Sequence, residues 1–202
     1  MNAIDIEEII GLTKLHPLKV RNIYLFGSRV YGTNKSNSDY DVLVTASNLL
    51  DKQQISNDKY NIHIHVPSVF EDDLRDHDII SLECIWAPSF AQLQVKKDYA
   101  KDFILDKNKL KAKLLTQSHD AWYKAKMALN ESDVLRGHKR LGHSFRILVF
   151  GIQIMRYGRI VDFSANNNLY NEISNSNEYE WDYFKDKYLP LKKKLEEEFK
   201  KL

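Results

Sequence analysis

The sequence predicts an α+β protein: an N-terminal α/β half of roughly 95 residues followed by a helical half. Three observations carry this. Short β-branched and aromatic runs bounded by Gly, Asn, Ser and Pro fall in the first half. Long polar–apolar helical patterns fill the second half. Charge changes at the same place, because residues 1–100 carry 10 basic and 14 acidic side chains, whereas residues 101–160 carry 13 and 5, a net +8. The expected domains are 1–100 and 101–202.

Residues 3–15 read as a short amphipathic helix with Ile4, Ile9, Ile10 and Leu15 on one face, ended by Pro17. Val20–Phe26 is a strand followed at once by Gly27, and residues 29–38 form a Gly/Asn/Ser-rich connection. Tyr40–Thr45 is a second strand. Lys59–Val66 alternates strictly and is a third, with Ile62, Ile64 and Val66 facing one way and Asn61, His63 and His65 the other. Phe70–Asp76 reads as a short helix and Ile79–Trp86 as a fourth strand. Lys107–Asn130 is a long helix. Ser132–Asp133 caps the next, which carries Leu141, Phe145, Leu148, Ile152 and Met155 as its apolar stripe and stops at Gly158. Residues 164–178 form a loop with at most one turn of helix, and Tyr183–Leu202 is a closing helix broken near Pro190.

Composition excludes several classes. Hydrophobic residues make up 43% and charged residues 29%, which is ordinary for a folded soluble protein and too apolar for a disordered one. No apolar run approaches the roughly 20 residues that span a bilayer. The acidic start MNAIDIEEII lacks the basic region of a secretory signal. One cysteine, Cys84, rules out an intrachain disulfide framework; it reads as a buried small hydrophobe, and a reducing cytoplasmic setting is expected. The basic block 101–160 suits an anionic partner, a triphosphate or a polynucleotide, as well as it suits a solvated helix surface.

The chemistry concentrates in Tyr24–Val44, YLFGSRVYGTNKSNSDYDVLV. A strand ends in Gly27-Ser28, and ten residues later Asp39-Tyr40-Asp41 opens the next strand. Period 2 puts Asp39 and Asp41 on one face. Two adjacent carboxylates repel unless a hard divalent cation sits between them, and oxygen ligands favour Mg²⁺. Gly27 lets the backbone approach a ligand, and the Ser28 hydroxyl with nearby N–H groups suits a phosphate. Arg29 either binds phosphate or neutralises the carboxylates. Taken singly, Gly-Ser is a turn and Asp-x-Asp a solvated strand edge. Their ordered combination on strand, loop and strand is equipment for moving a nucleotidyl group.

This stretch resembles the DNA polymerase β-like nucleotidyltransferase superfamily. Its signature of a hydrophobic residue, Gly-Ser, a spacer of about ten residues and Asp-hydrophobic-Asp appears here as Phe26-Gly27-Ser28 and Asp39-Tyr40-Asp41-Val42. The wording GSRVYGTNKSNSDYDV is most similar to the nucleotidyltransferases of the RNA-repair-pathway DNA polymerase β family, and GHKRLGHSFRILVFGIQIMRYGRIVDFS looks more loosely like their helical part. The resemblance implies a mixed β-sheet with flanking helices followed by a helical domain. It implies transfer of a nucleoside monophosphate from an NTP, ATP first among them, to a hydroxyl on an RNA end, a protein or a small molecule. Mg²⁺ or Mn²⁺ would serve as cofactor. It also implies that Gly27, Ser28 and Arg29 hold phosphates, and that Lys139, His143 and Arg146, spaced to share one helix face, reach the triphosphate.

The sequence departs from that pattern at the third carboxylate. The position four residues before Pro67 is His63, and the strand holds no Asp or Glu. Three readings stand. His63 replaces the carboxylate as metal ligand or general base, with metal preference moved toward Mn²⁺. The protein binds nucleotide or RNA without transfer, or is an antitoxin-type minimal nucleotidyltransferase. Or a carboxylate from elsewhere, such as Glu83, enters the site. Trp122 and Tyr123 suit base stacking or a helix core.

Overall fold

The computed structural model describes residues 4–47 and 51–202. They form two compact units, Met1–Ile104 and Leu105–Leu202. The α+β expectation holds, with a mixed sheet in the first unit and helices in the second.

The first unit opens with α1, Ile6–Thr13, whose first-turn N–H groups of Glu7 and Glu8 are accepted by the Asp5 side chain. Lys14 in the left-handed conformation closes it two residues before the expected end, and residue 3, where it was expected to begin, lies outside the described residues. There follow β1 (Val20–Phe26), the single turn α2 (Ser28–Tyr31), β2 (Tyr40–Ala46), β3 (Gln53–Ser56), β4 (Tyr60–His65), α3 (Pro67–Arg75), α4 (Ile79–Ile85), β5 (Gln92–Val95) and the short α5 (Tyr99–Asp102). The sheet order is β3-β4-β2-β1-β5. All neighbours are antiparallel except β2 and β4, which run parallel with Asp41 opposite Asn61 and Leu43 opposite His63.

Core side chains lie on both faces of the sheet: Ile23, Val44, Ile62 and Ile64 are buried on one, and Tyr24 and Leu43 on the other, where Tyr24 stacks on Phe70, which meets Tyr99 edge-on. The alternation expected for residues 60–65 is present, apolar residues buried and Asn61, His63 and His65 half-exposed.

Ile79–Trp86 is corrected from strand to helix. The Asp78 carboxylate accepts the N–H groups of Ile80 and Ser81, which starts a helix, and Ile79 and Ser81–Ile85 are all buried, so the segment lacks the polar face that would have betrayed its period. Cys84 is buried there, and burial raises its thiol pKa well above the ordinary value. The short polar strands β3 and β5 were not foreseen; they lie at the two edges of the sheet.

In the second unit, α6 (Lys107–Asn130) and α7 (Val134–Tyr157) pack along their length, with α8 (Asn167–Ser174) and α9 (Trp181–Lys201) against α7. Asp133 caps α7 as expected, accepting the N–H of Arg136 at 3.1 Å. The expected stripe Leu141, Phe145, Leu148, Ile152 and Met155 is buried. Leu141 and Phe145 join Ala125, Leu129, Ile173, Trp181, Phe184 and Tyr188 in one cluster. Trp122 packs against this cluster, edge-on to Phe145 and Trp181, while Tyr123 is exposed. The break expected near Pro190 is absent, and α9 is continuous through it. The start at Trp181 is set by burial of its indole.

Candidate active site

The site grows from the point where β1 ends. Phe26 is paired with Asp41, so the chain leaves the sheet at Gly27 directly beside the first residues of β2. Gly27 has φ 76° and ψ −153°, a conformation open essentially to glycine alone. A Cβ there would stand 2.6 Å from Asp41 Oδ2. The Gly27-Ser28 turn and the Asp41 carboxylate therefore abut, and no side chain fits between them. The Gly27 carbonyl accepts the N–H groups of Val30 at 2.9 Å and Tyr31 at 3.1 Å, folding residues 28–31 into α2 with Ser28 at its start.

The neighbouring strand supplies the rest. Asn61 donates from Nδ2 to Asp41 Oδ1 at 2.9 Å, and the same nitrogen lies 3.2 Å from His63 Nε2. The other end of the amide is held from β3: Asn61 Oδ1 accepts Gln54 Nε2 at 2.7 Å and Ser56 Oγ at 3.0 Å. His63 also meets Phe26 edge-on at 5.6 Å. Burial, with His65 close by, pulls its pKa below the ordinary histidine value, so its neutral form is favoured. Asp39 sits one residue ahead of β2, half-exposed.

Among the described residues, no three His, Cys, Asp or Glu side chains gather to hold a metal. The donor set at this face is thus two carboxylates by strand period. That suits a single magnesium-sized ion, which keeps waters and takes further oxygens from substrate phosphates. The neighbouring strand β4 holds no Asp or Glu that would add a third carboxylate.

Arg29, read as a phosphate binder or a neutraliser of the carboxylates, bonds here to backbone oxygens and stacks on a ring. Its Nε donates to the backbone carbonyl of Asp39 at 3.0 Å, its Nη2 to that of Ser38, and its guanidinium lies 3.7 Å over the Tyr40 ring. It ties the connection to the start of β2 and lines a cavity of about 520 Å³ together with Lys35, Ser38, Tyr40, Asp58 and Lys59. Glu83 is buried on α4 and accepts the Tyr31 hydroxyl, so its carboxylate is placed against the end of α2.

The helical unit does not present Lys139, His143 and Arg146 as one solvated face. Lys139 is exposed and His143 half-buried, whereas Arg146 is 1% exposed. Arg146 donates to the Phe163 carbonyl at 3.1 Å and to Asn167 Oδ1 at 3.4 and 3.3 Å, pinning the segment after Gly158 to α7. Burial, then the neighbouring Arg146 and Arg140, push the His143 pKa down to about 4.

The structure thus brings Gly27, Asp41 and His63 together through a residue the sequence reading passed over, Asn61. Its signal was available: it shares the His63 face by period 2. An amide is neither a titratable group nor an expected ligand, so its residue type alone gives no sign of a role.

A family model described as "Nucleotidyltransferase domain" matches residues 7–132, spanning the sheet and all of α6. No curated protein matches the chain. No helix among the described residues is long and apolar enough to cross a membrane.

Proposed function

Because the chain belongs to the nucleotidyltransferase domain family, whose substrate is an NTP and whose reaction moves a nucleoside monophosphate, we propose that it transfers NMP from ATP to a hydroxyl acceptor, an RNA end being the acceptor class. The carrying observation is the closure of Gly27 on Asp41, which sets a glycine-opened backbone turn against a carboxylate at the mouth of two paired strands. In this reading the acceptor oxygen forms a bond to the α-phosphorus, the bond from that phosphorus to the β-phosphate oxygen breaks, and pyrophosphate leaves. The acceptor's proton passes to His63, whose lowered pKa keeps it ready to accept one at neutral pH. Ser28 and the backbone of Gly27 hold the β- and γ-phosphates, and Arg29 holds the loop that shapes their surroundings. Asp39 and Asp41 hold the divalent ion. That ion, Mg²⁺ or Mn²⁺, supplies neutralisation of charge on the phosphoryl oxygens. RNA-end transfer, and kinship with the RNA-repair-pathway group, rest on the wording of residues 27–42 and on the net +8 of residues 101–160.

The test is incubation of the full chain with each α-labelled NTP, Mg²⁺ or Mn²⁺, and a panel of RNA, protein and small-molecule hydroxyl acceptors. Label on an acceptor, lost in Asp39→Ala and in Asp41→Ala, is the expected result. Nucleotide binding without label on any acceptor would favour the second reading, a nucleotide-binding protein on the same fold, which the strand Tyr60–His65, holding no Asp or Glu, supports.

A further inference from the structure

The side chain at the centre of the site is neither acid nor base. Asn61 takes part in four hydrogen-bonding contacts, two at its oxygen and two at its nitrogen. An amide can satisfy this set in one orientation only, because a carboxylate can only accept and the Asp41 contact therefore demands the amide nitrogen. The two donors from β3, Gln54 and Ser56, fix the oxygen at the opposite end. The orientation is imposed by side chains of an edge strand, Gln54 and Ser56, which stand opposite His63 and Asn61 in the β3–β4 ladder.

We propose that Asn61 is the positioning residue of the transfer site, and that β3 sets it. Its nitrogen does two things. It holds the Asp41 carboxylate by Oδ1, so that Oδ2 is the oxygen turned against Gly27. It also faces His63 Nε2 as a donor, which requires a lone pair there and puts the ring proton on Nδ1. The imidazole is thereby kept with its accepting nitrogen aimed along the same face as Asp41. When an acceptor hydroxyl displaces the amide from Nε2, the nitrogen it meets is already the basic one. This rests on the transferase reading for its chemistry, but the orientation of Asn61 and the tautomer of His63 are properties of the protein without substrate.

Two measurements test it separately. Long-range ¹H–¹⁵N correlation spectra of the ligand-free full chain report the His63 tautomer directly. Wild type is expected to show the Nδ1–H form. Asn61→Ala, and the double variant Gln54→Ala/Ser56→Ala at two exposed positions, are expected to move population to the Nε2–H form. Transfer kinetics are the second readout. Asn61→Ala is expected to lower kcat by ~10- to 100-fold, the range for a partner that orients a reacting side chain, with KM for the NTP within about twofold. Asn61→Ser, which keeps a donor, should recover part of the loss, and the β3 double variant should lower kcat without lowering thermal stability in proportion. A purely structural residue would move stability and leave the tautomer and the kcat-to-KM split alone. An Nε2–H tautomer in wild type, or an Asn61→Ala protein with unchanged tautomer and kcat, would overturn the proposal. Should wild type label no acceptor at all, the transferase reading fails, and the tautomer spectra alone decide whether Asn61 and β3 orient the site.

Discussion

Gly27→Ala is the perturbation that separates backbone conformation from carboxylate packing. Two costs follow from the structure. The first is conformational: at φ 76° and ψ −153° an alanine sits where L residues are strained by about 1–3 kcal/mol. The second is steric: the new methyl would stand 2.6 Å from Asp41 Oδ2 and 3.3 Å from its Cγ, so the carboxylate has to turn away. Turning it breaks the 2.9 Å bond to Asn61, a charge-assisted contact of about 1.5–3 kcal/mol. The sum is a loss of roughly 2.5–6 kcal/mol from the N-terminal unit. The assay is urea unfolding followed by far-UV circular dichroism, for Gly27→Ala, Asp41→Ala and the double variant. In the double variant the oxygen clash is gone while the strain remains, so the two changes should be non-additive by ~1 kcal/mol or more, as expected of residues in contact. Transfer should already be lost in the single Gly27→Ala protein. A Gly27→Ala protein as stable as wild type, or strict additivity in the cycle, would refute the claim that Gly27 is present because Asp41 packs on it.

Three further expectations concern groups outside that contact. Arg146→Ala leaves the Phe163 carbonyl and the Asn167 amide without their donor, and should destabilise the helical unit by about 1–3 kcal/mol; the exposed Lys139→Glu should leave stability unchanged, so nucleotide affinity measured in the Lys139 variant alone tests the triphosphate role read from the sequence. For His143, a folded pKa lowered to about 4 from 6.5 means the unfolded chain takes the proton first, so stability is complete above about pH 6.5 and falls as pH drops toward 4, by at most about 3 kcal/mol; urea midpoints at pH 7.5 and 4.5 should draw together in His143→Asn, and an unaltered pH slope in that variant would refute it. His63→Asp removes the imidazole base and adds a third carboxylate at this face, so transfer should favour Mg²⁺ over Mn²⁺ more strongly than in wild type, since hard oxygen ligands suit Mg²⁺; equal metal profiles for the two proteins would refute it.

What the sequence revealed and concealed divides along physical lines. The Gly27-Ser28 and Asp39-Tyr40-Asp41 pieces were legible because each is a local requirement, a positive φ at a turn and two carboxylates at period 2. The α6 and α7 boundaries were legible because caps and a 3.6-residue period agree over 24 residues each. Ile79–Ile85 was not, since a seven-residue segment buried on nearly every side has no amphipathic period to read and only Asp78 marks it as a helix. Asn61 was assigned to the correct face, yet period 2 gives a face and not a register. Only the parallel pairing of β2 with β4 sets it opposite Asp41. Burial of Arg146 was hidden for the related reason in a helix. Spacing puts it on the side of Lys139 and His143, but whether that side is wet depends on what covers it, and residues 163–170 cover it here.

The arrangement also explains how two like charges tolerate one another on a bare strand end. Asp39 and Asp41 are like charges two residues apart in the chain, so each repels the other. Neutral and backbone contacts do the holding. The Asn61 amide donates to Asp41, and Arg29 anchors the Asp39 segment through carbonyl oxygens while leaving the carboxylate unpaired with its guanidinium. A salt bridge from Arg29 to Asp39 would have to be broken before a cation could bind. A bond to the Asp39 carbonyl need not be, so the positive charge steadies the loop without competing for the ligand. Donors fixed before substrate arrives cost no reorganisation at the moment of reaction. On this reasoning the absence of a third carboxylate and the presence of Asn61 belong together. A third negative charge facing Asp41 would add repulsion, whereas an amide held by β3 gives order without charge.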